Sequence, residues 1–175
     1  MIGEGISAPA PLILTAMLPD DLHSWATGLR DRHFPSERNY LEAHVTLFHA
    51  LPPSAEGEVR DCCAALARDN APIPARLLGL MKLGKGTALQ LESEGMIALW
   101  VELADRFHGL LTPQDEHAPR LHVTIQNKVS LEQAKALQAE LGPQITPCDF
   151  AFAGLALHTY RGGPWEHLKS WRFRG

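Results

Sequence analysis

The stretches His44-Val45-Thr46-Leu47 and His122-Val123-Thr124-Ile125 are nearly identical, and they are the best guide to the fold of this 175-residue sequence. Both are rich in the β-branched and aliphatic residues that favour strands. Side chains alternate between the faces of a strand, so each histidine shares a face with its threonine, roughly 7 Å along the backbone. The aliphatic residues point the other way, into the core. The pair therefore predicts two half-buried strands, each carrying an imidazole and a hydroxyl.

Outward from the two motifs, the sequence predicts an alternation of strands and helices. The predicted strands are 12–18, 45–48, 76–83, 87–91, 121–126, 150–158 and 171–173, and the predicted helices begin at Asp20 or Asp21 and at Ser54 and span 96–111 and 130–141. Strands 76–83 and 87–91 form a hairpin around Gly84-Lys85-Gly86. Each motif is followed by a loop and a helix, a weak internal duplication that indicates two similar lobes. Because antiparallel pairing is expected in places, we predict an α+β fold.

Composition and charge limit the classes of function. Hydrophobic residues make up 45% and charged residues 21%, as in globular proteins. The net charge of −4 argues against broad, charge-driven binding of nucleic acid. Cys62, Cys63 and Cys148 have no C-x-x-C spacing, so we expect free thiols in a reducing compartment. The apolar run 11–18 has no cationic start and is too short to span a bilayer, so we expect a cytoplasmic protein without a membrane partner.

The paired motifs suit the chemistry of phosphate esters. If the two strands are neighbours, one imidazole can take a proton from an attacking oxygen while the other gives one to the leaving oxygen. Imidazole does both near neutral pH, because its unperturbed pKa is about 6.5. The hydroxyls of Thr46 and Thr124 can donate hydrogen bonds to the non-bridging phosphate oxygens, where negative charge builds up. We therefore predict His44 and His122 as catalytic residues and the two threonines as phosphate-binding residues.

A single H-x-T sequence is a weak signal, because a histidine bonded to a neighbouring backbone group on a half-buried strand is the commoner case. Here only two of the nine histidines have a threonine two places on, and both lie in nearly identical apolar settings. The other seven show no metal-ligand spacing with carboxylates or cysteines, so no metal is expected. They are His23, His33, His49, His108, His117, His158 and His167.

Paired H-x-T-x motifs 78 positions apart in a chain of this length resemble the 2H phosphoesterase superfamily, and within it the group of 2′-5′ RNA ligases and RNA 2′,3′-cyclic phosphodiesterases. The resemblance extends over nearly the whole chain, from the first hydrophobic strand to the closing strands. It implies one bilobal α+β domain over 1–175, with two small, mostly antiparallel sheets about a pseudo-twofold axis, flanking helices and a central cleft.

The resemblance also implies an activity. The reaction is metal-independent and needs no cofactor: a 2′,3′-cyclic phosphate opens to a 2′-phosphate, or reacts with a 5′-hydroxyl to give a 2′-5′ linkage. By analogy, His44 would protonate the leaving 3′ oxygen and His122 would activate the water, although a reversible reaction exchanges these roles. The partner is a nucleotide or an RNA end with a cyclic phosphate. Without a basic track for long RNA, a small nucleotide is favoured. Oligomeric state is left open, with a monomer expected.

Five further residues are candidates for substrate contact. Arg120, Lys128 and Arg161 could add positive charge near the phosphate, with surface solvation as the alternative. Tyr160 and Phe48 could stack on a base, with packing in the core as the alternative. Phe48 follows His44 and Thr46 in the alternation and would then face the cleft. Two rival functions remain: a non-catalytic nucleotide- or RNA-binding module of the same fold, and a metal-dependent hydrolase.

Overall fold

A computed structural model describes residues 10–175 of the protein as eight strands and four helices. The strands are β1 (Leu12–Met17), β2 (Val45–Leu51), β3 (Ile73–Lys82), β4 (Thr87–Glu92), β5 (His122–Gln126), β6 (Cys148–Phe152), β7 (Gly154–Tyr160) and β8 (Trp165–Arg172). The helices are α1 (Asp20–His33), α2 (Glu56–Asp69), α3 (Glu94–Arg106) and α4 (Leu131–Leu141). Each of the strands and helices predicted around the two motifs has a counterpart among them.

The strands form two four-stranded sheets, in the orders β2-β1-β7-β8 and β5-β4-β3-β6. Neighbouring strands in both sheets are antiparallel. Each lobe contains the same order of elements: a strand, a helix, the motif strand and a second helix. This order is β1-α1-β2-α2 in the first lobe and β4-α3-β5-α4 in the second. The predicted α+β class and the two similar lobes are confirmed. Both motif strands are edge strands, and they contact each other where the two sheets meet.

A β-bulge interrupts the first motif strand directly after its threonine. Thr46 lies opposite Thr15 of β1. Phe48 lies opposite Leu14, the preceding residue of β1, so Leu47 is an extra residue in β2. A bulge leaves one residue unpaired and shifts the alternation of the side chains that follow. Phe48 consequently points into the core, although simple alternation would place it on the same face as Thr46.

The second motif strand carries the same irregularity at the matching place. Thr124 pairs with Ala88, and Gln126 pairs with Thr87, so Ile125 is the extra residue in β5. The bulged residue is thus the fourth of each H-x-T-x motif. The following side chain, Gln126, is buried and accepts a hydrogen bond from the Thr87 hydroxyl at 3.0 Å. The two lobes share this local distortion as well as their order of elements.

Several boundaries differ from the sequence prediction; β8, for example, begins at Trp165 rather than at 171. The third helix ends at Arg106, before the predicted end at 111, and its buried side is formed by Met96, Leu99, Trp100 and Leu103. Val101 of the same helix is 46% exposed. The predicted strand 150–158 is two strands, because the chain leaves the second sheet after β6 and enters the first at Gly154. A Cβ at Gly154 would clash with the carbonyl oxygen of Trp171, so the crossing strand packs closely on β8.

A buried carboxylate anchors the loop before β5 to the first motif strand. Asp115, in the 3₁₀ turn Pro113–Glu116, is 2% exposed. It accepts hydrogen bonds from the backbone N–H groups of His49 and Ala50, both at 2.9 Å, and from His49 Nδ1 at 3.1 Å. Burial raises the pKa of this carboxyl, but the hydrogen bonds and the His49 charge outweigh burial and lower it overall.

We expect Asp115→Asn to lower the free energy of unfolding by about 1–3 kcal/mol at pH 7, because an amide NH₂ would face backbone N–H donors. The pKa of Asp115 is lower in the folded state than the value of about 3.9 in the unfolded state. Asp115 therefore contributes its full stabilisation above the unfolded pKa, and this stabilisation is lost as the pH falls through the folded pKa. Urea unfolding at several pH values measures both effects. Asp149→Asn, in the exposed pair with Arg76, is the control and should cost under about 1 kcal/mol. Equal costs for the two variants would contradict this interpretation.

Candidate active site

The two motif histidines are held in the same way by their own backbone. His44 Nδ1 lies 2.8 Å from the carbonyl oxygen of Glu42, and His122 Nδ1 lies 2.5 Å from that of Arg120. A carbonyl oxygen only accepts, so each Nδ1 carries the hydrogen. In the neutral rings Nε2 is then the basic nitrogen on both histidines. The local chain, two residues upstream in each case, thus fixes matching tautomers.

The motif threonines lie between buried neighbours. Thr46 and Thr124 are half-buried, while Val45 and Val123 on the opposite face are buried. Among the residues that the structure describes, no hydrogen bond engages the hydroxyl of either threonine. A hydroxyl without a protein partner is free to bond a ligand.

A cavity of about 480 Å³ opens beside His44. It is lined by side chains of the first lobe, including Thr15, Glu42, His44, His158, Trp165 and His167. The His44 ring lies 4.6 Å from that of Trp165, and His158 lies 5.5 Å from both Trp165 and His167. His122, Thr46 and Thr124 do not line this cavity. They belong to the junction of β2 and β5 next to it.

Burial controls the protonation of the histidines in this cavity. It lowers the pKa of His44 to about 4. The hydrogen bond to Glu42 raises this pKa, and the charges of Arg30, His158 and His122 lower it further. Burial, followed by the charge of His167, also lowers the pKa of His158 to about 4. His44 lines the cavity and is half-buried. It is therefore neutral at pH 7 in the free protein.

A buried arginine joins the two motifs. Arg30 of α1 is 3% exposed, and its Nε donates to the carbonyl oxygen of Leu41 at 3.1 Å and to Asn39 Oδ1 at 3.3 Å. Its Nη1 donates to the carbonyl oxygen of Thr124 at 2.8 Å. The guanidinium thus bonds both the segment that leads to His44 and the backbone of the second motif. Burial lowers the Arg30 pKa from its usual value, but an arginine keeps its charge in proteins.

The five candidate contact residues lie in different places. Phe48 is 0% exposed and packs on Trp100 and Phe107, so its predicted contact with substrate is wrong. The bulge at Leu47 is the reason.

The four other candidates are exposed at the surface: Arg120, Lys128, Tyr160 and Arg161. Tyr160 and Arg161 line a separate cavity, which the structure places apart from His44, and Arg161 pairs with Glu166 at 3.1 Å. Lys128 is exposed in the loop after β5 and lines neither this cavity nor the one beside His44. Arg120 is the one candidate of these four that contacts a motif histidine, because its backbone carbonyl oxygen accepts a hydrogen bond from His122 Nδ1.

Sequence reasoning missed Arg30, Thr15, His158, Trp165 and His167. Thr15 lies opposite Thr46, and His158 Nε2 lies 3.2 Å from the Thr15 hydroxyl, although the two are 143 positions apart. No local pattern indicates such a contact. The only available signal was that His158 and His167 occur in the two closing strands, close to Trp165 in sequence.

The described residues offer neither a metal centre nor a membrane span. No group of three or more His, Cys, Asp or Glu side chains within 10–175 is placed to hold a metal ion. No helix in that range has the length and apolar character needed to cross a bilayer.

A histidine–threonine motif on the adjoining edge strand of each of two antiparallel lobes defines the class of two-histidine phosphoesterases. Solved structures share the fold. TT0787 of Thermus thermophilus matches with a TM-score of 0.65 and 19% identity, over 94% of this chain and 98% of that one. E. coli LigT in complex with 3′-AMP matches with a TM-score of 0.62 and 18% identity, over 95% and 99%. No curated protein matches significantly in sequence.

The family is shown by sequence. The family model described as the 2′-5′ RNA ligase superfamily matches residues 18–164. The chain therefore belongs to the 2′-5′ RNA ligase superfamily, a family of phosphoesterases and RNA ligases.

Proposed function

We propose that the protein opens 2′,3′-cyclic phosphates of nucleotides or RNA ends to 2′-phosphates, with His44 and His122 as general acid and base and without a metal. The observation that carries the proposal is the matched pair of imidazoles, each with Nδ1 bonded to the carbonyl two residues upstream. Two fixed rings of known tautomer are what paired proton transfer requires. E. coli LigT has been crystallised with 3′-AMP, ATP and NADP+, which supports a nucleotide as the ligand.

Atoms and protons balance in the proposed step. The oxygen of water bonds to phosphorus, the bond from phosphorus to the 3′ oxygen breaks, one imidazole takes the proton of water, and the other protonates the 3′ oxygen. A 5′-hydroxyl in place of water gives a 2′-5′ phosphodiester by the same step. Thr46 and Thr124 would donate hydrogen bonds to the non-bridging oxygens, where charge builds up.

The lowered pKa of His44 bears on which imidazole is the acid. Family analogy makes His44 the acid, but its lowered pKa leaves it neutral at pH 7 and thus suited to accept a proton. We propose His44 as the base and His122 as the acid. A nucleoside 4-nitrophenyl phosphodiester, whose leaving group needs no protonation, distinguishes the roles. Changing from the cyclic nucleotide to that substrate should reduce the loss of activity in His122→Ala more than the loss in His44→Ala. The opposite order would make His44 the acid, as the family analogy implies.

The pH profile gives a second expected result. The acidic limb of kcat/KM, which reports the free enzyme, should lie near pH 4, well below the ordinary histidine value of about 6.5. Below that pH the His44 imidazole is protonated and can no longer accept a proton. Initial rates from pH 3.5 to 9 measure the limb, with circular dichroism as a control for folding. A limb at pH 6 or above would contradict the buried, neutral His44.

The proposed function itself is tested by turnover of 2′,3′-cyclic nucleotides in the presence of EDTA. We expect conversion to 2′-phosphates at a rate that the chelator does not change. Loss of turnover in EDTA would favour a metal-dependent hydrolase. Binding of the nucleotide without any turnover would favour a non-catalytic binding module.

A further inference from the structure

The first motif strand is held from the opposite lobe by contacts to the residues that follow its threonine. β2 lies at the edge of its sheet, so the backbone groups on its free side need partners other than a strand. Side chains of the second lobe are such partners. Trp100 Nε1 of α3 donates a hydrogen bond to the carbonyl oxygen of Leu47 at 3.1 Å. Asp115, in the loop before β5, accepts hydrogen bonds from the backbone N–H groups of His49 and Ala50.

The hydrogen bond from Trp100 is made at the β-bulge. Leu47 is the extra residue of β2, and the next side chain, Phe48, packs on α3. The rings of Phe48 and Trp100 are stacked, with centroids 5.6 Å apart and planes 13° apart. Trp100 is 5% exposed and Leu47 is 1% exposed, so the hydrogen bond is shielded from water. The bulge therefore presents to the second lobe both an aromatic ring and a backbone acceptor.

The second motif strand is held from the first lobe in a corresponding way. Arg30 Nη1 of α1 donates to the carbonyl oxygen of Thr124 in β5, which is also an edge strand. In both lobes the donor belongs to the helix that precedes the motif strand. In both cases the acceptor is the third or fourth residue of the other lobe's motif. The two lobes are thus joined by two reciprocal hydrogen bonds, from Arg30 to Thr124 and from Trp100 to Leu47.

We propose that Trp100 is a positioning residue that, together with Arg30, sets the distance between the two motif imidazoles. The proposal rests on the proposed function, in which both imidazoles must reach one phosphate. Each reciprocal hydrogen bond lies within three residues of a motif histidine, so it fixes the strand close to the imidazole. Trp100 does not line the cavity beside His44, so it acts through the strand rather than on the substrate.

Trp100→Phe tests the hydrogen bond separately from the packing, because phenylalanine keeps an aromatic ring against Phe48 and removes the N–H donor. We expect kcat for a 2′,3′-cyclic nucleotide to fall about tenfold, with KM within about twofold of the wild type. A displacement of about 1 Å between reacting groups costs about 10²-fold, and the remaining packing should limit the movement to less than that. Steady-state kinetics, at a temperature at which each variant is fully folded, measure the effect.

Leu103→Ala is the control for a general loss of stability. Leu103 is buried in the same helix, and its side chain has no polar atom. The cavity left by this substitution should lower the midpoint of urea unfolding at least as much as Trp100→Phe does. Its kcat should stay within about twofold of the wild type, because the hydrogen bond to Leu47 is kept.

The reciprocal hydrogen bonds are tested together by combining two variants. Arg30→Met with Trp100→Phe should lower kcat by less than the product of the two separate effects, because each substitution releases the same junction between the lobes. A loss of kcat equal to that product, or larger, would show that the two bonds do not act as one unit and would overturn the joint role of Arg30 and Trp100.

A measurement without turnover separates this inference from the proposed function. The NMR signals of the His44 and His122 imidazoles, assigned with the two alanine variants, should move in Trp100→Phe and stay in place in Leu103→Ala. An unchanged kcat in Trp100→Phe, or equal losses of kcat in both variants, would overturn the positioning role. Absence of turnover in the wild type would instead contradict the proposed function. Unchanged imidazole signals in Trp100→Phe would then still overturn the role of Trp100.

Discussion

His44→Ala and His122→Ala should each lower kcat/KM for a 2′,3′-cyclic nucleotide by about 10²–10⁴-fold, the usual contribution of a positioned acid or base. The fold should survive, because both rings are half-buried at the junction of the lobes rather than in the core. The double variant should be little worse than the poorer single variant, since one imidazole without the other cannot complete the paired proton transfer.

Three controls make this result specific. His44→Asn retains a side-chain N–H that can bond the Glu42 carbonyl, so the local backbone is kept while the base is lost. It should be as inactive as His44→Ala. His108→Ala, at an exposed histidine outside the cavities, should keep wild-type turnover. Circular dichroism of each variant confirms that the fold is kept. Wild-type turnover in either motif variant would remove His44 and His122 from the proposed mechanism.

Arg30→Met should have the second largest effect, on stability and on kcat together. Removing the guanidinium leaves the carbonyl oxygens of Leu41 and Thr124 without their side-chain donor, at about 1–3 kcal/mol for each buried acceptor. It also releases the link between the two motifs. A displacement of about 1 Å between reacting groups can cost about 10²-fold, so we expect a loss of that order, mainly in kcat.

Charge and geometry can be separated at this position. Arg30, His158 and His122 each lower the pKa of His44 through their charge, whereas the Glu42 carbonyl raises it. Removing the Arg30 charge should therefore shift the acidic limb of kcat/KM to higher pH. Arg30→Lys keeps the charge but not the forked donors, so it should lose kcat while the limb stays near pH 4.

Arg32→Met, on the exposed side of the same helix, is the control for a general effect on α1. Urea unfolding, steady-state kinetics and the pH profile are measured on all three variants. A loss of stability in Arg30→Met with unchanged kcat and an unchanged acidic limb would show that Arg30 only supports the fold.

Much of the candidate site was predictable from the sequence because it depends on local rules. The alternation of side chains in a strand placed His44 with Thr46 and His122 with Thr124, and the valines between them are buried. The repeated order of strand, loop and helix predicted the two lobes. Alternation fails where a strand pairs irregularly. The bulge at Leu47 turned Phe48 into the core, and a bulge is a property of two strands rather than of one.

The sequence by itself therefore determined the two motif strands, the shared face of each histidine and its threonine, and the duplicated α+β architecture, since these follow from periods of two and 3.6 residues along the chain. Only the tertiary structure decided what surrounds the motifs. The chain crosses back to the first sheet at Gly154, which brings His158 and Trp165 to the cavity of His44. Arg30 reaches the carbonyl of Thr124 across 94 positions. Burial and charge at that junction then lower the pKa of His44, and no periodicity encodes contacts between such distant segments.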